Sequence, residues 1–333
     1  MSDIKIDFVV PWVDGSDPEW QKEFKKYSPD PASCDARFER YRDWDLMRYW
    51  FRGVEKNAPW VNKIYFITWG HIPEWLNVNH PKLVIVKHED YIPKEYLPTF
   101  SSHPIELNMQ RIKGLSEHFV YFNDDYFLID EVKPEDFFVN GLPCDMAVEI
   151  PVKIDDDVVF NAVNVNNIRV INKNFNKHKT IKVNPSKWLC VKYKSELLKT
   201  ILLLLWNRFV GMQFHHLPQP FIKSVLYEVW EKSENELKIT SESKFRSIND
   251  VNQYIFKFWQ ICSGSFNPTN VMSNGEYFGV KSDNLDVICE HIIEKKKPII
   301  VLNDTVNSNF DVVKKRLDVA FTHVLGEKSS FEL

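Results

Sequence analysis

The sequence has 333 residues, of which 44% are hydrophobic and 14% aromatic, so it can bury a large core as one elaborate α/β domain or two smaller ones. Its net charge of −4 gives no electrostatic footprint for nucleic acid, which we exclude as a partner. The five cysteines are odd in number and lack C-x-x-C spacing, which argues against a disulfide framework and a zinc site.

The first predicted strand covers residues 5–10 and runs into a polar loop. Gly15 and Pro18 end the strand and leave Asp14 and Asp17 in a tight turn. No basic segment followed by an apolar one precedes the strand, so we expect no signal peptide and a cytoplasmic location.

Helices and strands then alternate through the first half of the chain. Helices are predicted at 43–56 and 105–115, and strands at 63–68, 82–86 and 118–122. This alternation predicts a largely parallel sheet with helices on its faces, as in nucleotide-binding α/β folds.

The strand at 118–122 ends abruptly in three polar residues, Asn123, Asp124 and Asp125. On an extended backbone Asn123 and Asp125 point to one face, so they can hold a hard cation that bridges the phosphates of a nucleotide sugar. The alternative is a polar turn that only closes the strand, because Asn and Asp are common turn residues.

A second apolar run, residues 297–302, breaks into Asn303 and Asp304 in the same way. Ligands collect beyond the carboxyl ends of the strands in open α/β sheets. The polar strand ends therefore predict one site that is assembled from distant parts of the chain.

The second half of the chain is less regular. Residues 147–193 are rich in Val, Ile and Asn and predict extra strands or a hairpin, whereas helices dominate from 195 to 264. A strand at 298–302 and a final helix at 310–325 are expected to rejoin the first sheet. We therefore expect one catalytic unit with four parts. They are an α/β nucleotide-sugar-binding part (1–146), a strand-rich excursion (147–194), a helical part (195–290) and a returning strand and helix (291–333).

One apolar segment, residues 197–212, is too short and interrupted to span a bilayer. It predicts either a buried helix or a surface element that rests on the membrane face near a lipid-linked glycan. Basic residues flank it, and they suit anionic lipids and solvated helix ends equally well.

Several of these segments resemble the signature blocks of the Stealth family of sugar-phosphate transferases. Residues 7–20 resemble the first block, segments between Arg42 and Asp125 resemble the second, and His216 to Pro220 with Lys244 to Ser247 match the third more loosely. The fourth block is matched at 301–304 and 327–332. Together the blocks span nearly the whole chain in the family's order. Two departures are Pro11, which would alter only the strand end, and the turn Trp69-Gly70-His71, which could reshape the sugar pocket.

The resemblance implies transfer of hexose 1-phosphate from a UDP-hexose to a hydroxyl of an oligosaccharide or lipid-linked glycan, with release of UMP. It implies a role in bacterial capsular or cell-wall polysaccharide synthesis, and a Rossmann-like, GT-A-like fold with a helical insertion. Two alternatives stay open: a metal-dependent glycosyltransferase that releases UDP, and a carbohydrate-binding protein without activity.

This chemistry needs a base for the acceptor hydroxyl and positive charge on the phosphoryl oxygens. We predict His216 as the base, because imidazole titrates near the working pH and this residue lies in the third block, with His103 as a competing candidate. Arg246 and Arg111 are the predicted phosphate clamps.

The remaining predicted site residues bind metal or donor. We expect Mg²⁺ or Mn²⁺ at Asp125, Asn303 and Asp304, with Asp124 beside them as a catalytic carboxylate or as part of the metal's second shell. The residues expected to contact the donor nucleotide sugar are Asp14, Gly15, Asp17, His103, Arg111 and Asn123.

Overall fold

The computed structural model describes residues 4–28, 41–305 and 309–333. Its strands are β1 (Ile6–Pro11), β2 (Ile64–Thr68), β3 (Leu83–Lys87), β4 (His118–Tyr121), β5 (Tyr126–Leu128), β6 (Phe138–Val139), β7 (Leu142–Asp145), β8 (Gln219–Ile222), β9 (Asn267–Pro268), β10 (Gly275–Val280) and β11 (Ile299–Asp304). Its α-helices are α1 (Pro18–Tyr27), α2 (Met47–Asn57), α3 (His88–Tyr91), α4 (Ser102–Leu107), α5 (Pro134–Phe137), α6 (Val158–Asn174), α7 (Lys177–Val183), α8 (Pro185–Trp188), α9 (Leu197–Leu203), α10 (Lys223–Lys232), α11 (Glu234–Ser241), α12 (Tyr254–Ser263), α13 (Leu285–Ile293) and α14 (Phe310–Leu325).

A five-stranded sheet in the order β3-β2-β1-β4-β8 forms the centre of the fold. Strands β1 to β4 are parallel, as the sequence predicts, and β8 pairs antiparallel to β4. The mainly parallel α/β fold class is thereby confirmed, and its finer Rossmann-like, GT-A-like assignment stays a prediction.

The carboxyl ends of the parallel strands share one edge of this sheet. Because β8 is antiparallel, it begins at that same edge, where Gln219 pairs with Tyr121 at the end of β4. Residues just before β8 therefore lie beside residues just after β4. This pairing brings His216 next to the triplet Asn123 to Asp125.

Side chains on the two faces of the sheet belong to two separate hydrophobic cores. Along β1, Phe8 and Val10 join a core with α2, α13 and α14, whereas Val9 joins a core with α6, α10 and α12. All three side chains are fully buried. Burial on both faces explains the continuous apolar runs of these strands.

The returning strand does not rejoin the central sheet, so that prediction is wrong. Strand β11 pairs parallel to β10 and antiparallel to β5 in a separate three-stranded sheet. Its apolar residues nevertheless enter the core of α2 and α14. The turn at Asn123 to Asp125 reverses the chain into β5, which gives β11 a partner outside the central sheet. The final helix at 310–325 is confirmed.

The predicted strand-rich excursion at 147–194 is also wrong, because most of it is helical. Asp157 caps α6 by accepting from the Phe160 amide at 2.9 Å. Further along α6, the Asn166 side chain donates to the carbonyls of Ile248 and Asp250. Such tertiary contacts outweigh the strand preference of the Val and Ile residues.

A smaller difference concerns residues 105–115. Helix α4 ends at Leu107, because the Asn108 side chain takes the Pro104 carbonyl at 2.8 Å, and a 3-10 turn covers Met109–Arg111. Four cysteines are free thiols, in agreement with the sequence analysis, and Cys34 lies outside the described residues.

Candidate active site

The polar triplet after β4 forms a turn, not the extended segment that the alternating N-x-D prediction assumes. The Tyr126 amide donates to the Asn123 carbonyl at 3.3 Å, and the Asp125 carbonyl accepts from the Leu302 amide at 3.0 Å. The start of β5 and the end of β11 thus hold the turn in place. Within the described residues, Asp125 Oδ1 is a buried oxygen without a hydrogen-bond partner.

His216 faces this turn from the segment before β8. Its Nε2 lies 3.6 Å from Asp125 Oδ2, and its Nδ1 lies 3.1 Å from the Tyr126 hydroxyl and 3.4 Å from the Tyr254 hydroxyl. Burial raises the pKa of both tyrosines well above the ordinary value, so both hydroxyls stay protonated. Either hydroxyl can accept a hydrogen bond from Nδ1–H, and in that tautomer Nε2 carries the lone pair.

The neighbouring His215 cannot take the same role. Burial, together with the charges of Lys257 and Lys199, lowers the pKa of its imidazole to about 3. The ring is enclosed by protein, whereas the His216 side chain is 32% exposed. Only His216 of this pair can therefore reach an acceptor hydroxyl.

Asp124 is the central residue of the turn after β4. Its side chain is open to solvent, yet protein surrounds it closely on most sides. Desolvation, with the charges of Asp125 and then Asp43, raises the pKa of its carboxyl to about 7. The site thus holds carboxylates that repel one another, an arrangement that a bound cation would relieve.

Asp43 is a site residue that the predicted set misses. Desolvation raises the pKa of its carboxyl, and the charges of Asp45 and Asp14 raise it further. Asp43 therefore links the turn after β4 to the loop after β1. Its segment, 42–45, resembles part of the second family block, so the sequence did contain a signal.

Asp304 and Asn303, at the end of β11, have different neighbours. The Arg42 guanidinium donates to both oxygens of Asp304 at 2.7 to 2.9 Å. Asn303 hydrogen bonds with Tyr277, whose ring centroid lies 5.6 Å from that of His216. Both predicted residues thus adjoin the site, and Asp304 does so as the partner of an arginine.

The loop after β1 is built around two predicted residues, Asp14 and Gly15. Asp14 Oδ1 accepts from the amide and hydroxyl of Ser16 at 2.8 and 2.6 Å. Gly15 packs on the backbone beside Arg42, because an added Cβ would lie 2.1 Å from the Tyr41 carbonyl oxygen. Only glycine fits this contact. Asp17 caps α1 through the Trp20 amide at 2.8 Å.

His71, from the turn that departs from the family pattern, supports the same loop. Its Nε2 accepts from the Asp14 amide at 2.8 Å, so the ring proton resides on Nδ1, 3.8 Å from Asp17 Oδ2. Desolvation lowers the pKa of the imidazole despite the two carboxylates. A neutral His71 thus fixes the backbone of the predicted donor loop.

Substituting His71→Leu is expected to raise the KM for the sugar donor by about tenfold, because the Asp14 amide loses its partner. The kcat should change less than threefold. His71→Gln keeps an acceptor oxygen and should restore the KM. Steady-state kinetics of the three proteins would check this, and an equal loss of kcat in both variants would contradict it.

His103 and Arg246 lie together at one side of the cleft. His103 Nδ1 is 2.9 Å from the fully buried Asp250, and Arg246 donates to Ser102, the residue before His103, at 3.0 Å. Phe100 connects this group to the loop after β1, with its ring centroid 5.7 Å from that of Trp20. Their predicted roles stay predictions.

Arg111 is not brought to this group. It is the exposed last residue of a 3-10 turn, where its guanidinium covers the Trp230 ring and donates to Asn108 at 3.1 Å. The residues that follow it contact Lys223 near the amino end of β4, opposite the acidic turn. Nothing in this position supports phosphate binding by Arg111.

The site residues fit a divalent cation, although no group of three or more His, Cys, Asp or Glu is arranged for one among the described residues. Mg²⁺ keeps several waters and takes one or two carboxylates. The unpartnered Asp125 Oδ1 and the neighbouring Asp124 carboxylate can supply those. The donor set therefore suits a partly hydrated Mg²⁺ or Mn²⁺.

Family models match three parts of the chain. They are described as Stealth protein CR1, conserved region 1, at residues 5–30; CR2, conserved region 2, at 40–144; and CR3, conserved region 3, at 215–254. These regions contain most of the residues gathered in the cleft, among them Asp14, Asp43, Asp125 and His216.

Full-length relatives are similar throughout. The chain is 46% identical to the capsular polysaccharide phosphotransferase WcwK of Streptococcus pneumoniae over 98% of each chain. It is 39% identical to the receptor polysaccharide phosphotransferase WefC of Streptococcus oralis over 99% of each. It is 38% identical to the exopolysaccharide phosphotransferase cps2G of Lactiplantibacillus plantarum over 98% of this chain and 96% of that one.

Among solved structures, mouse xyloside xylosyltransferase 1 matches with a TM-score of 0.33 and 8% identity. The match covers 90% of this chain and 97% of that one. A similarity this low does not define a common fold.

Proposed function

Because this chain belongs to the Stealth family, we propose that it transfers hexose 1-phosphate from a UDP-hexose to a glycan hydroxyl and releases UMP. The relatives' names support phosphotransfer in capsular or exopolysaccharide synthesis. The acceptor in this proposal is an oligosaccharide or a lipid-linked glycan.

The main support for this proposal is that the side chains of Asp125 and His216 face each other. Their side chains approach to 3.6 Å although they lie far apart in the sequence, in regions that match separate family models. One supplies a carboxylate with an unpartnered oxygen, and the other supplies an imidazole with an accessible edge. Cation binding and proton removal can therefore occur side by side.

In the proposed reaction, the acceptor oxygen forms a bond to the phosphorus that carries the hexose. The bond from that phosphorus to the bridging pyrophosphate oxygen breaks, and UMP leaves with the bond electrons. His216 Nε2 takes the hydroxyl proton while a tyrosine hydroxyl accepts from Nδ1. The hexose C1–O bond stays intact, so the product keeps the anomeric configuration of the donor.

We propose that Asp125 holds Mg²⁺ or Mn²⁺, with Asp124 and Asn303 beside it. The cation would neutralise charge on the pyrophosphate oxygens as UMP departs. Both oxygens of Asp304 accept from Arg42, so its contribution to the metal site is the orientation of neighbouring groups.

Positive charge in the cleft is proposed to come from Arg42 and Arg246. Arg42 is held in one orientation, because its guanidinium donates to the Asp304 carboxylate and its Cζ lies 4.0 Å from the centroid of the Phe310 ring. A fixed guanidinium is suited to binding phosphoryl oxygens. Asp14 and Gly15 would line the nucleotide on the other side of Asp43.

Identification of the released nucleotide tests this function. The purified chain is incubated with each of several UDP-hexoses, with Mg²⁺ or Mn²⁺, and with an oligosaccharide or lipid-linked acceptor extract. We expect UMP that depends on both acceptor and metal, and a phosphodiester in the product by ³¹P NMR.

Two results would refute the proposal. Acceptor-dependent UDP in place of UMP would show an ordinary glycosyltransferase. UMP that forms at the same rate without acceptor would show hydrolysis of the donor, and the same reactions with Asp125→Asn would reveal any contaminating hydrolase.

A further inference from the structure

Helix α9 presents an apolar stripe to solvent. Its Leu198, Ile201 and Leu202 stand at the i, i+3 and i+4 spacing of one helical face, and Leu205 follows in the turn after the helix. These four side chains are 61%, 45%, 71% and 86% exposed. The buried-helix interpretation of this segment thus holds for only one side of α9.

The opposite side of α9 is firmly anchored. Thr200 accepts from the Glu149 amide at 3.0 Å, and the fully buried Lys177 pairs with Glu149 at 2.7 Å and donates to the Leu203 carbonyl. Val152 extends this attachment through its amide, which donates to the Val210 carbonyl at 3.1 Å. These contacts fix the outward direction of the apolar stripe.

Trp206 extends the same exposed surface. It is 51% exposed, whereas the other ten tryptophans of the chain are buried or half-buried. An indole combines an apolar ring with an N–H donor and is therefore favoured where apolar and aqueous phases meet.

The sequence that contains this surface is strongly biased toward basic residues. Residues 177–208 contain eight Lys or Arg and a single acidic residue, Glu196, although the whole chain has a net charge of −4. Lys192, Lys194, Lys199 and Arg208 of this segment are exposed. An apolar stripe with a basic rim is complementary to a surface that is apolar inside and anionic outside.

We propose that this face, formed by Leu198, Ile201, Leu202, Leu205 and Trp206 with its basic rim, binds the surface of an anionic phospholipid membrane. The apolar side chains would enter the acyl boundary while the basic residues contact the headgroups. A second copy of the chain is a poor occupant, because a symmetric dimer would bring two strongly basic faces together. In the part of the chain that the structure describes, no helix is long and apolar enough to cross a bilayer.

This surface lies close to the candidate active site along the chain. The Gln213 amide donates to the Val148 carbonyl at 2.9 Å, which continues the attachment of the segment toward His216. His216 follows Arg208 by eight positions in the sequence, a span of at most about 27 Å for extended chain. Membrane binding would hold the site within reach of a glycan on a lipid carrier.

Vesicle sedimentation of the full chain tests the proposal. We expect binding to vesicles of phosphatidylglycerol and phosphatidylcholine in equal parts, and at least tenfold weaker binding to phosphatidylcholine alone. The double variant Leu202→Gln, Leu205→Gln should reduce binding to the anionic vesicles at least tenfold. Lys194→Gln with Arg208→Gln, or 0.5 M salt, should have a similar effect.

A matched control replaces two exposed valines of α14, Val312→Gln and Val319→Gln, which are 59% and 62% exposed in the native chain. This control should bind like the native chain. Brominated lipids should also quench the tryptophan fluorescence of the native chain, and this quenching should disappear in the Trp206→Phe variant. Circular dichroism would verify that each variant is folded.

Three results would overturn the proposal. They are no binding to anionic vesicles, equal binding by the Leu202/Leu205 variant, and quenching that persists in Trp206→Phe. Light scattering tests the alternative that a second copy of the chain covers this face. A dimer that is lost in the Leu202/Leu205 variant, together with no vesicle binding by the native chain, would assign the face to self-association. None of these readouts depends on the transfer reaction.

Discussion

Asp125→Asn is expected to lower the kcat for UMP release about a thousandfold, which corresponds to about 4 kcal/mol of transition-state stabilisation. The amide has nearly the shape of the carboxylate but lacks its charge. Asp125 has a buried oxygen without a partner and faces His216 at 3.6 Å, so both cation binding and the position of the base depend on it. The metal concentration for half-maximal activity should also rise at least tenfold.

The stability of this variant separates a functional role from a structural one. Replacing this carboxylate, whose Oδ1 has no hydrogen-bond partner, by an amide should leave the free energy of unfolding unchanged or slightly higher, as measured in urea. Asp130→Asn is a suitable control, because Asp130 is a partly exposed residue whose ion pair with Lys295, at 3.4 Å, contributes little. A variant at Asp125 that retained a third of native turnover would exclude our metal assignment.

His216→Ala is expected to lower the kcat by a factor of about 10² to 10⁴, the usual contribution of a positioned general base. The KM for the donor should change little, because the imidazole acts on the acceptor hydroxyl. Added imidazole should restore part of the lost activity by entering the vacated space between Tyr126 and Asp125. The measurement is steady-state kinetics with and without imidazole.

The adjacent residue supplies the control for that experiment. His215→Gln removes an imidazole whose pKa is about 3 and which is enclosed by protein, so any loss of activity should follow loss of stability and should not respond to imidazole. If His216→Ala kept native kcat, His103, which is paired with Asp250 at 2.9 Å, would become the candidate base.

Much of the central fold could be predicted because its signals are local. Strands β1 to β4 are continuous apolar runs, and α14 has a clear helical period with its expected bounds. The polar residues after β4 and at the end of β11 were found for the same reason, since each follows directly on an apolar run.

The missed features depend on contacts between distant residues. The helix α6 is stabilised by buried asparagines that bond to residues 248–252, which no local pattern reveals. The pairing of β11 with β5 depends on the turn at Asp125. Tyr126 and Tyr254 became site residues only because the start of β5 and the start of α12 meet His216, which lies before β8.

The late pairing of β8 and β11 also determines when the enzyme can become active during its synthesis. Strand β4 can pair with β8 only after Gln219–Ile222 have been synthesised. The Asp125 carbonyl can accept from the Leu302 amide only after Leu302 has been synthesised, 177 residues later in the chain. At the usual translation rate this interval lasts roughly 9 to 35 seconds. During that interval a nascent chain would therefore hold a sheet with an unpaired edge and no assembled active site.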